Sequence, residues 1–239
     1  MKQYDYIIFD IDDTLLDYQN AEAHVMKKIF EVECRTLEKE DYDKLWELSW
    51  LYWDKYRLSE STETYVQEHY HALFYEYLKD FMADIKNRYE LGSTVEALTE
   101  AFVNNLANEA EAYVDTEWVL RRLAEITNLA IASNGLGKVQ RNRMKKFAGY
   151  FSDMFISEEL GIIKPSCIFW DKVFEKLIAE PEKCLMVGDS LNNDIVSAAC
   201  YGLDTCWINR KSRENTTGIV PTYEVRELAE LIVLLESNA

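Results

Sequence analysis

The chain has 239 residues, and its 43 acidic side chains outnumber its 26 lysines and arginines to give a formal net charge of −17. This length allows one substantial domain with an insert or two small domains, and 48% apolar residues argue against intrinsic disorder. The negative charge disfavours nucleic acid polymers and anionic membranes as partners, whereas a bound cation can still recruit a small phosphorylated substrate.

The predicted elements begin with a strand at residues 6–9, a short apolar run between polar residues. A long segment with few chain breakers follows, since only Gly92 interrupts the chain between Leu15 and Asn134. Such a segment favours helices over short strands and turns. We therefore predict a helical insert at roughly residues 17–112.

Short apolar runs recur in the second half of the chain, between glycines and prolines. Further strands are predicted at residues 129–132, 154–156, 184–187 and 205–208, and helices at 168–178, 195–201 and 225–235. Apolar strands that alternate with helices indicate a parallel sheet covered on both faces. The predicted fold class is α/β, with a parallel-sheet core and a helical insert.

The cysteines and the apolar segments indicate in which cellular compartment the protein is expected. The five cysteines form no Cys-x-x-Cys pair, and the first residues turn acidic too soon for a signal peptide. No apolar stretch approaches the ~20 residues that span a bilayer. We expect a reduced, cytoplasmic protein.

Three aspartates, Asp10, Asp12 and Asp13, come directly after the first predicted strand, and Thr14 follows them. The carboxyl ends of parallel strands form the crevice where ligands bind. Two carboxylates at positions i and i+2 suit a divalent cation, or a nucleophile with an acid/base partner. A solvated acidic turn is the alternative interpretation.

A second acidic turn follows the strand predicted at 184–187. Gly188 and Asp189 come directly after that strand, and Asp194 lies five residues beyond Asp189. If both turns meet at one edge of the sheet, their carboxylates repel strongly unless a cation is bound. The pair of turns therefore predicts a metal site.

Two further segments suit phosphate. The strand at 129–132 ends in Ser133-Asn134-Gly135, where a hydroxyl, an amide and a flexible backbone can surround phosphate oxygens. Lys164 precedes Pro165 and would place a cation beside them. Taken singly, a strand-to-helix cap and a surface lysine are the simpler interpretations.

Together and in this order, these segments resemble the haloacid dehalogenase-like (HAD) superfamily of phosphohydrolases. The matching motifs are Asp10-x-Asp12-x-Thr14, Ser133, Lys164-Pro165, and Gly188-Asp189 with Asp194. The resemblance implies a Rossmann-like core, residues 1–16 and 113–239, and a helical C1 cap, residues 17–112. It also implies a Mg²⁺-dependent mechanism.

The resemblance implies a role for each residue. Asp10 would attack phosphorus and form an aspartyl-phosphate, and Asp12 would protonate the leaving oxygen and later activate water. Mg²⁺ would be held by the Asp12 backbone carbonyl and by three carboxylates, those of Asp10, Asp189 and Asp194. The phosphoryl group would be bound by Ser133, Asn134 and Lys164, and Thr14 would orient the first loop.

The same motifs separate subclasses of the superfamily. Its dehalogenases lack the second aspartate of the first motif, which is present here as Asp12. Its sugar-phosphate mutases usually carry Gly-Val where this chain has Asp13-Thr14. Both differences favour a phosphatase.

The insert is rich in aromatic residues, including Trp46, Trp50 and Trp53. Most of these rings are expected in a helix-bundle core, and one or two facing the cleft could stack on a nucleobase. The three histidines, His24, His69 and His71, lack the spacing of a metal site.

Three segments are similar to the branch of capped HAD enzymes that acts on pyrimidine nucleoside monophosphates: residues 132–135, 156–161 and 205–209. A 5′-nucleotidase is therefore the leading interpretation. A phosphatase for phosphoglycolate or a sugar phosphate is an alternative, as is phosphoryl transfer to an acceptor other than water. A non-catalytic module that binds a nucleotide or a protein partner is an alternative of another class.

Overall fold

A parallel sheet forms the centre of the fold in the computed structural model, which describes residues 3–59 and 61–237. The strand order is β3-β2-β1-β4-β5-β6, and all neighbours run parallel. The strands are β1 (Tyr6–Phe9), β2 (Asn128–Ser133), β3 (Phe151–Ile156), β4 (Cys184–Gly188), β5 (Asp204–Ile208) and β6 (Tyr223–Val225). The predicted α/β fold class is confirmed.

All five predicted strands are present, and the sixth was not predicted. β6 has only three residues. The sequence pattern places its last residue, Val225, at the start of the closing helix. That helix is α10 (Leu228–Ser237). A strand this short is recognised only through its pairing, here with β5 through Ile208 opposite Val225.

Two apolar clusters cover the two faces of the sheet. Ile7 belongs to one cluster and Ile8 to the other, because successive side chains of a strand point to opposite faces. Both faces are buried, as expected for a parallel sheet flanked by helices. The flanking helices are α5 (Thr116–Ala124), α6 (Gly137–Arg143), α7 (Ser157–Leu160), α8 (Cys167–Phe174), α9 (Ser197–Tyr201) and α10 (Leu228–Ser237).

Two predicted helices differ from expectation, one in its length and one in its helix type. The helix predicted at 168–178 ends at Phe174 as α8. The one predicted at 195–201 consists of α9 preceded by a π-helical turn, Leu191–Val196. Ser190 caps this turn by accepting a hydrogen bond from the Asn193 amide at 3.3 Å.

Four helices lie between β1 and β2 in the chain: α1 (Tyr18–Val32), α2 (Lys39–Lys55), α3 (Thr64–Tyr89) and α4 (Val95–Leu106). Two of them have side-chain caps, because Asp17 accepts from the Asn20 amide at 2.9 Å and Thr94 from the Ala97 amide at 3.2 Å. Their apolar faces form a third cluster, which Val139 of α6 joins. The segment predicted as helical is therefore helical.

The two chain segments that connect these helices to the sheet run side by side. Leu16 and Ala112 form an antiparallel bridge, and the Asp17 amide donates to the Glu111 carbonyl at 2.8 Å. The predicted boundaries, 16/17 and 112/113, fall at this bridge. The division into core and cap stays a prediction, and residues 1–2, 60 and 238–239 of its ranges lie outside the described residues.

Within the described ranges, no helix is both long and apolar enough to cross a membrane. Cys184 and Cys206 are buried in strands, whereas the other three cysteines are exposed. All five are free thiols.

Candidate functional site

The sheet brings the predicted site residues to one edge. β1 lies between β2 and β4, so the residues at the carboxyl ends of these three strands are neighbours. Asp10 follows β1, Ser133 ends β2, and Asp189 follows β4. Segments more than 170 residues apart in the chain therefore meet at the crevice where parallel sheets bind ligands.

Three carboxylates form an acidic cluster, in which Asp10 and Asp194 are buried and Asp189 is half-buried: Asp10, Asp189 and Asp194 can each place an oxygen within 4.8 Å of the other two. Burial raises the pKa of Asp10 well above its usual range. Burial, followed by the charges of Asp194 and Asp13, raises the pKa of Asp189 to about 7. Crowded carboxylate oxygens are the donor set that a hard divalent cation such as Mg²⁺ requires, so the cluster fits this metal.

Lys164 lies inside the acidic cluster and is 1% exposed. Its ammonium group donates to Asp10 at 2.9 Å, to Asp194 at 2.6 Å and to the Ala132 carbonyl at 2.6 Å. Burial lowers the pKa of Lys164, but the two carboxylate charges outweigh burial and the pKa is raised. The lysine is therefore a fixed cation beside Asp10 and not a surface residue.

The Asn134 side chain holds Lys164 in place. Its amide nitrogen donates to the Lys164 carbonyl at 2.9 Å, and its oxygen accepts from the Lys164 backbone amide at 2.8 Å. Both ends of the side-chain amide are thus occupied by protein. The structure places Asn134 as a support for Lys164, and its predicted contact with phosphate stays a prediction.

Asp12 points to a different set of partners from Asp10. Its two oxygens accept from the Arg143 guanidinium and, at 2.7 Å, from the Gln140 side chain. Gln140 also donates to the Ser133 hydroxyl at 3.0 Å, which links Asp12 to the end of β2. The first motif therefore supplies one carboxylate to the acidic cluster and a second carboxylate held apart from it.

Arg143 and Gln140 were not predicted as site residues. Both are buried, and Arg143 also donates to the Glu109 carbonyl at 2.9 Å and to Gln140 at 3.0 Å. They lie three residues apart on α6, directly after the Ser133 loop, so they share one helix face. That spacing is the signal in the sequence, but only the fold shows that the face meets Asp12.

Hydrogen bonds at Asp13 and Thr14 hold the loop that follows β1. Thr14 is buried, and its carbonyl accepts from Arg210 at 2.9 Å. Its hydroxyl has no hydrogen-bond partner among the described residues. Asp13 adopts a left-handed conformation, with φ of 56°, and accepts from the Tyr18 amide at 3.2 Å. The predicted role of Thr14 in orienting this loop stays a prediction.

Arg213, which was also not predicted as a site residue, contacts Asp189. Its guanidinium donates to the Asp189 carbonyl at 2.8 Å and to the carboxylate at 3.1 Å. Arg213 lies in the loop between β5 and β6. No motif marks this loop, which explains why the sequence alone did not connect it to the site.

A cavity of about 680 Å³ opens above the acidic cluster and extends between the sheet and the helices α1–α3. Asp10, Asp12 and Lys164 are among the residues that line it. The helical side is lined by aromatic rings, namely Tyr18, Trp46, Trp50, Trp53, Tyr70, Phe74 and Tyr77. The cavity can therefore bind a small molecule with one charged end and one flat apolar part.

Comparison with known proteins gives the family. The haloacid dehalogenase-like hydrolase family matches residues 4–202. The chain is 31% identical to the HAD-hydrolase YfnB of Bacillus subtilis, covering 98% of this chain and 97% of YfnB. It is 29% identical to the pyrimidine 5′-nucleotidase PynA of Streptococcus pneumoniae (98% and 96%) and 28% identical to the pyrimidine 5′-nucleotidase YjjG of Escherichia coli (98% of both).

Solved structures agree with this match. Magnesium-bound YfnB superimposes with a TM-score of 0.78 at 27% identity, covering 98% of this chain and 99% of that one. An L-2-haloacid dehalogenase from Xanthobacter autotrophicus also reaches 0.78, at 16% identity and with 98% and 99% coverage. At this identity, the similarity to the dehalogenase is one of fold alone. The chain belongs to the haloacid dehalogenase-like hydrolase family.

Proposed function

We propose that the protein is a Mg²⁺-dependent phosphomonoester hydrolase that uses Asp10 as its nucleophile and Asp12 as its general acid and base. One observation carries the proposal: Asp10 lies in the acidic cluster beside Lys164, while Asp12, two residues later, is held apart by Arg143. Two carboxylates in different surroundings suit two different roles. A protein that only binds its ligand has no need for the second carboxylate, Asp12.

In the first step, an Asp10 oxygen attacks phosphorus, and the bond from phosphorus to the ester oxygen breaks. Asp12 gives its proton to the leaving oxygen, so the alcohol departs neutral. In the second step, Asp12 takes a proton from water, whose oxygen attacks the aspartyl-phosphate. The bond between phosphorus and Asp10 breaks, releasing inorganic phosphate and restoring the Asp10 carboxylate.

Asp10, Asp189 and Asp194 would hold Mg²⁺, together with the backbone carbonyl of Asp12. The bound ion supplies positive charge against the phosphate oxygens. Lys164 adds a second positive charge on the Asp10 side, and the Ser133 hydroxyl can donate to the transferring group. These fixed charges would let an acidic protein accept an anionic substrate.

For the substrate, we propose pyrimidine nucleoside monophosphates. Two relatives that match the chain over nearly their full length are named pyrimidine 5′-nucleotidases. The cavity supports this choice, because aromatic rings line it together with the carboxylates of the phosphate site. Phosphoglycolate, which has no ring, would leave most of this volume unfilled.

We also propose that residues 17–112 act as a cap over a core made of residues 1–16 and 113–239. The paired linkers at Leu16 and Ala112 would then be the hinge. The YfnB structure is described as revealing interdomain movement, which supports the same behaviour here. We propose a cytoplasmic location, where nucleoside monophosphates and Mg²⁺ are both available.

The test is phosphate release from a substrate panel, with and without Mg²⁺, by the wild type and by Asp10→Asn. We expect Mg²⁺-dependent release from UMP and CMP, and a loss of about 10³-fold or more in Asp10→Asn, since the amide cannot act as nucleophile. Asp5→Asn, an exposed substitution at the other end of β1, is the matched control.

The outcomes separate the alternatives. Better turnover of phosphoglycolate or a sugar phosphate would overturn the nucleotide assignment but keep the mechanism. Unchanged turnover in Asp10→Asn would overturn the mechanism. Absence of phosphate release across the panel would leave a binding module, and transfer of phosphate to an added alcohol would indicate a phosphotransferase.

A further inference from the structure

A buried carboxyl group lies in the aromatic part of the cavity. Glu22, on α1, is 3% exposed and lines the same cavity as Asp10. Its carboxyl accepts hydrogen bonds from the Ser49 hydroxyl at 3.4 Å and from the Tyr18 side chain. Among the described residues, no lysine, arginine or histidine forms a salt bridge with it.

Ser49 extends this polar group. It is buried on α2, and its hydroxyl lies 2.8 Å from that of Tyr77 on α3. Glu22, Ser49 and Tyr77 therefore form a continuous polar strip contributed by three helices, in the part of the cavity that Trp46 and Trp53 also line.

Burying the Glu22 carboxyl in this strip is unfavourable for the free energy of folding. An acidic group without a cationic partner loses solvation when buried, and burial raises the pKa of Glu22 to about 7. An apolar side chain of similar size would pack there without this penalty. A buried acid of raised pKa that lines a cavity is a candidate for ligand binding.

Glu22 is also close to the reaction centre. Burial raises the pKa of Tyr18 well above its ordinary value, and the charges of Glu22 and Asp12 raise it further. The Tyr18 side chain donates to Glu22, and the Arg143 guanidinium, which pairs with Asp12, lies 5.8 Å from the centre of the Tyr18 ring. Asp10, Tyr18 and Glu22 line the same cavity, so a ligand whose phosphate lies at Asp10 can extend past Tyr18 towards Glu22.

We infer that Glu22 and Ser49 form a specificity subsite that binds the hydrogen-bonding edge of the pyrimidine base, an inference that rests on the proposed function. The base edge carries N–H groups that can donate to the Glu22 carboxyl oxygens. Its ring carbonyls can accept from the Ser49 hydroxyl when that hydroxyl rotates from Glu22 to the ligand. The neighbouring aromatic rings can contact the faces of the base. A sugar phosphate has no base edge to place at this subsite.

The test compares kcat/KM for UMP and CMP with that for ribose 5-phosphate, which has no base. Glu22→Met keeps the length of the side chain and removes its hydrogen bonds. We expect kcat/KM to fall about tenfold to a hundredfold for UMP and CMP, and to stay within about threefold for ribose 5-phosphate. Glu31→Met, an exposed position on the same helix, should change neither.

Ser49→Ala provides a second test if Glu22→Met fails to fold, with the same selective loss expected at smaller size. Equal losses for substrates with and without a base would overturn the inference, as would unchanged UMP turnover in a folded Glu22→Met protein. Wild-type protein that hydrolyses ribose 5-phosphate but neither UMP nor CMP would instead refute the proposed function.

Discussion

At the scale of single residues, Arg143 stands out because it is 1% exposed and has a carboxylate partner in the cavity wall. A buried guanidinium without a counter-ion is unfavourable, so Asp12 and the Glu109 carbonyl stabilise it, while Arg143 in turn fixes the Asp12 carboxylate. Glu109 lies close to the linker at Ala112. Arg143 therefore acts through Asp12 as a positioning residue in the proposed mechanism.

Arg143→Lys should lower kcat/KM for UMP by about tenfold to a hundredfold, because a lysine cannot reach Asp12 and Glu109 together and Asp12 is then misplaced as an acid. The loss should be smaller for p-nitrophenyl phosphate, whose leaving group needs little protonation. Steady-state kinetics with both substrates measures this difference.

Arg141→Lys is the control, since Arg141 lies on the same helix but pairs with Glu159 at the surface. An equal loss for both substrates in Arg143→Lys would show that the arginine has a structural role only.

At the scale of elements, the turn after β4 depends on the absence of a side chain at Gly188. A Cβ placed there would lie 2.3 Å from an Asp194 oxygen, far inside contact distance. Asp194 cannot move away easily, because its oxygens bind Lys164 at 2.6 Å and the Ser190 amide at 2.9 Å. The glycine therefore allows the π-helical turn to approach the end of the strand.

Gly188→Ala should displace Asp194, reduce activity by about a hundredfold and destabilise the fold by about 1–3 kcal/mol, as overpacking does in a dense interior. Phosphate release and urea unfolding measure the two effects. Gly149→Ala is the matched control, because a Cβ at Gly149 meets no atom within 4 Å. Wild-type activity in Gly188→Ala would contradict the proposed contribution of Asp194.

At the scale of the whole molecule, the net charge of −17 and the acidic cluster have different consequences. Most acidic side chains are on the surface and are solvated, whereas Asp10, Asp189 and Asp194 are held close together, with Asp10 and Asp194 buried and Asp189 half-buried. Lys164 offsets only part of their repulsion. A bound divalent cation would therefore stabilise the folded protein as well as assist catalysis.

Mg²⁺ at about a hundred times its Kd should raise the melting temperature by about 5–10 °C, since binding to the folded state adds about 2.7 kcal/mol. Asp189→Asn should melt higher than wild type without Mg²⁺, because it removes a repelling charge, and should lose most of the shift with Mg²⁺. Thermal unfolding with and without EDTA measures both effects.

Asp5→Asn changes the net charge equally at an exposed position and should keep the full Mg²⁺ shift. A full shift in Asp189→Asn would contradict the proposed metal site.

Much of the fold follows from local pattern. The five predicted strands are apolar runs long enough to be recognised singly, and the scarcity of glycine before residue 135 indicates the helical segment. β6 was missed because a three-residue strand has no pattern of its own and exists only through pairing with β5. Arg213 was missed for a similar reason, since its loop carries no motif and reaches Asp189 only in the fold.

The sequence by itself determined the family resemblance, the order of the strands in the chain and the aspartates that follow them, because these depend on residue type and short-range spacing. Only the tertiary structure decided which side chains meet: Lys164 with Asp10 and Asp194, Arg143 with Asp12, and Glu22 with Ser49. These pairs are separated by 27 to 154 residues. Packing of helices against the sheet brings them together, and no local pattern encodes that packing.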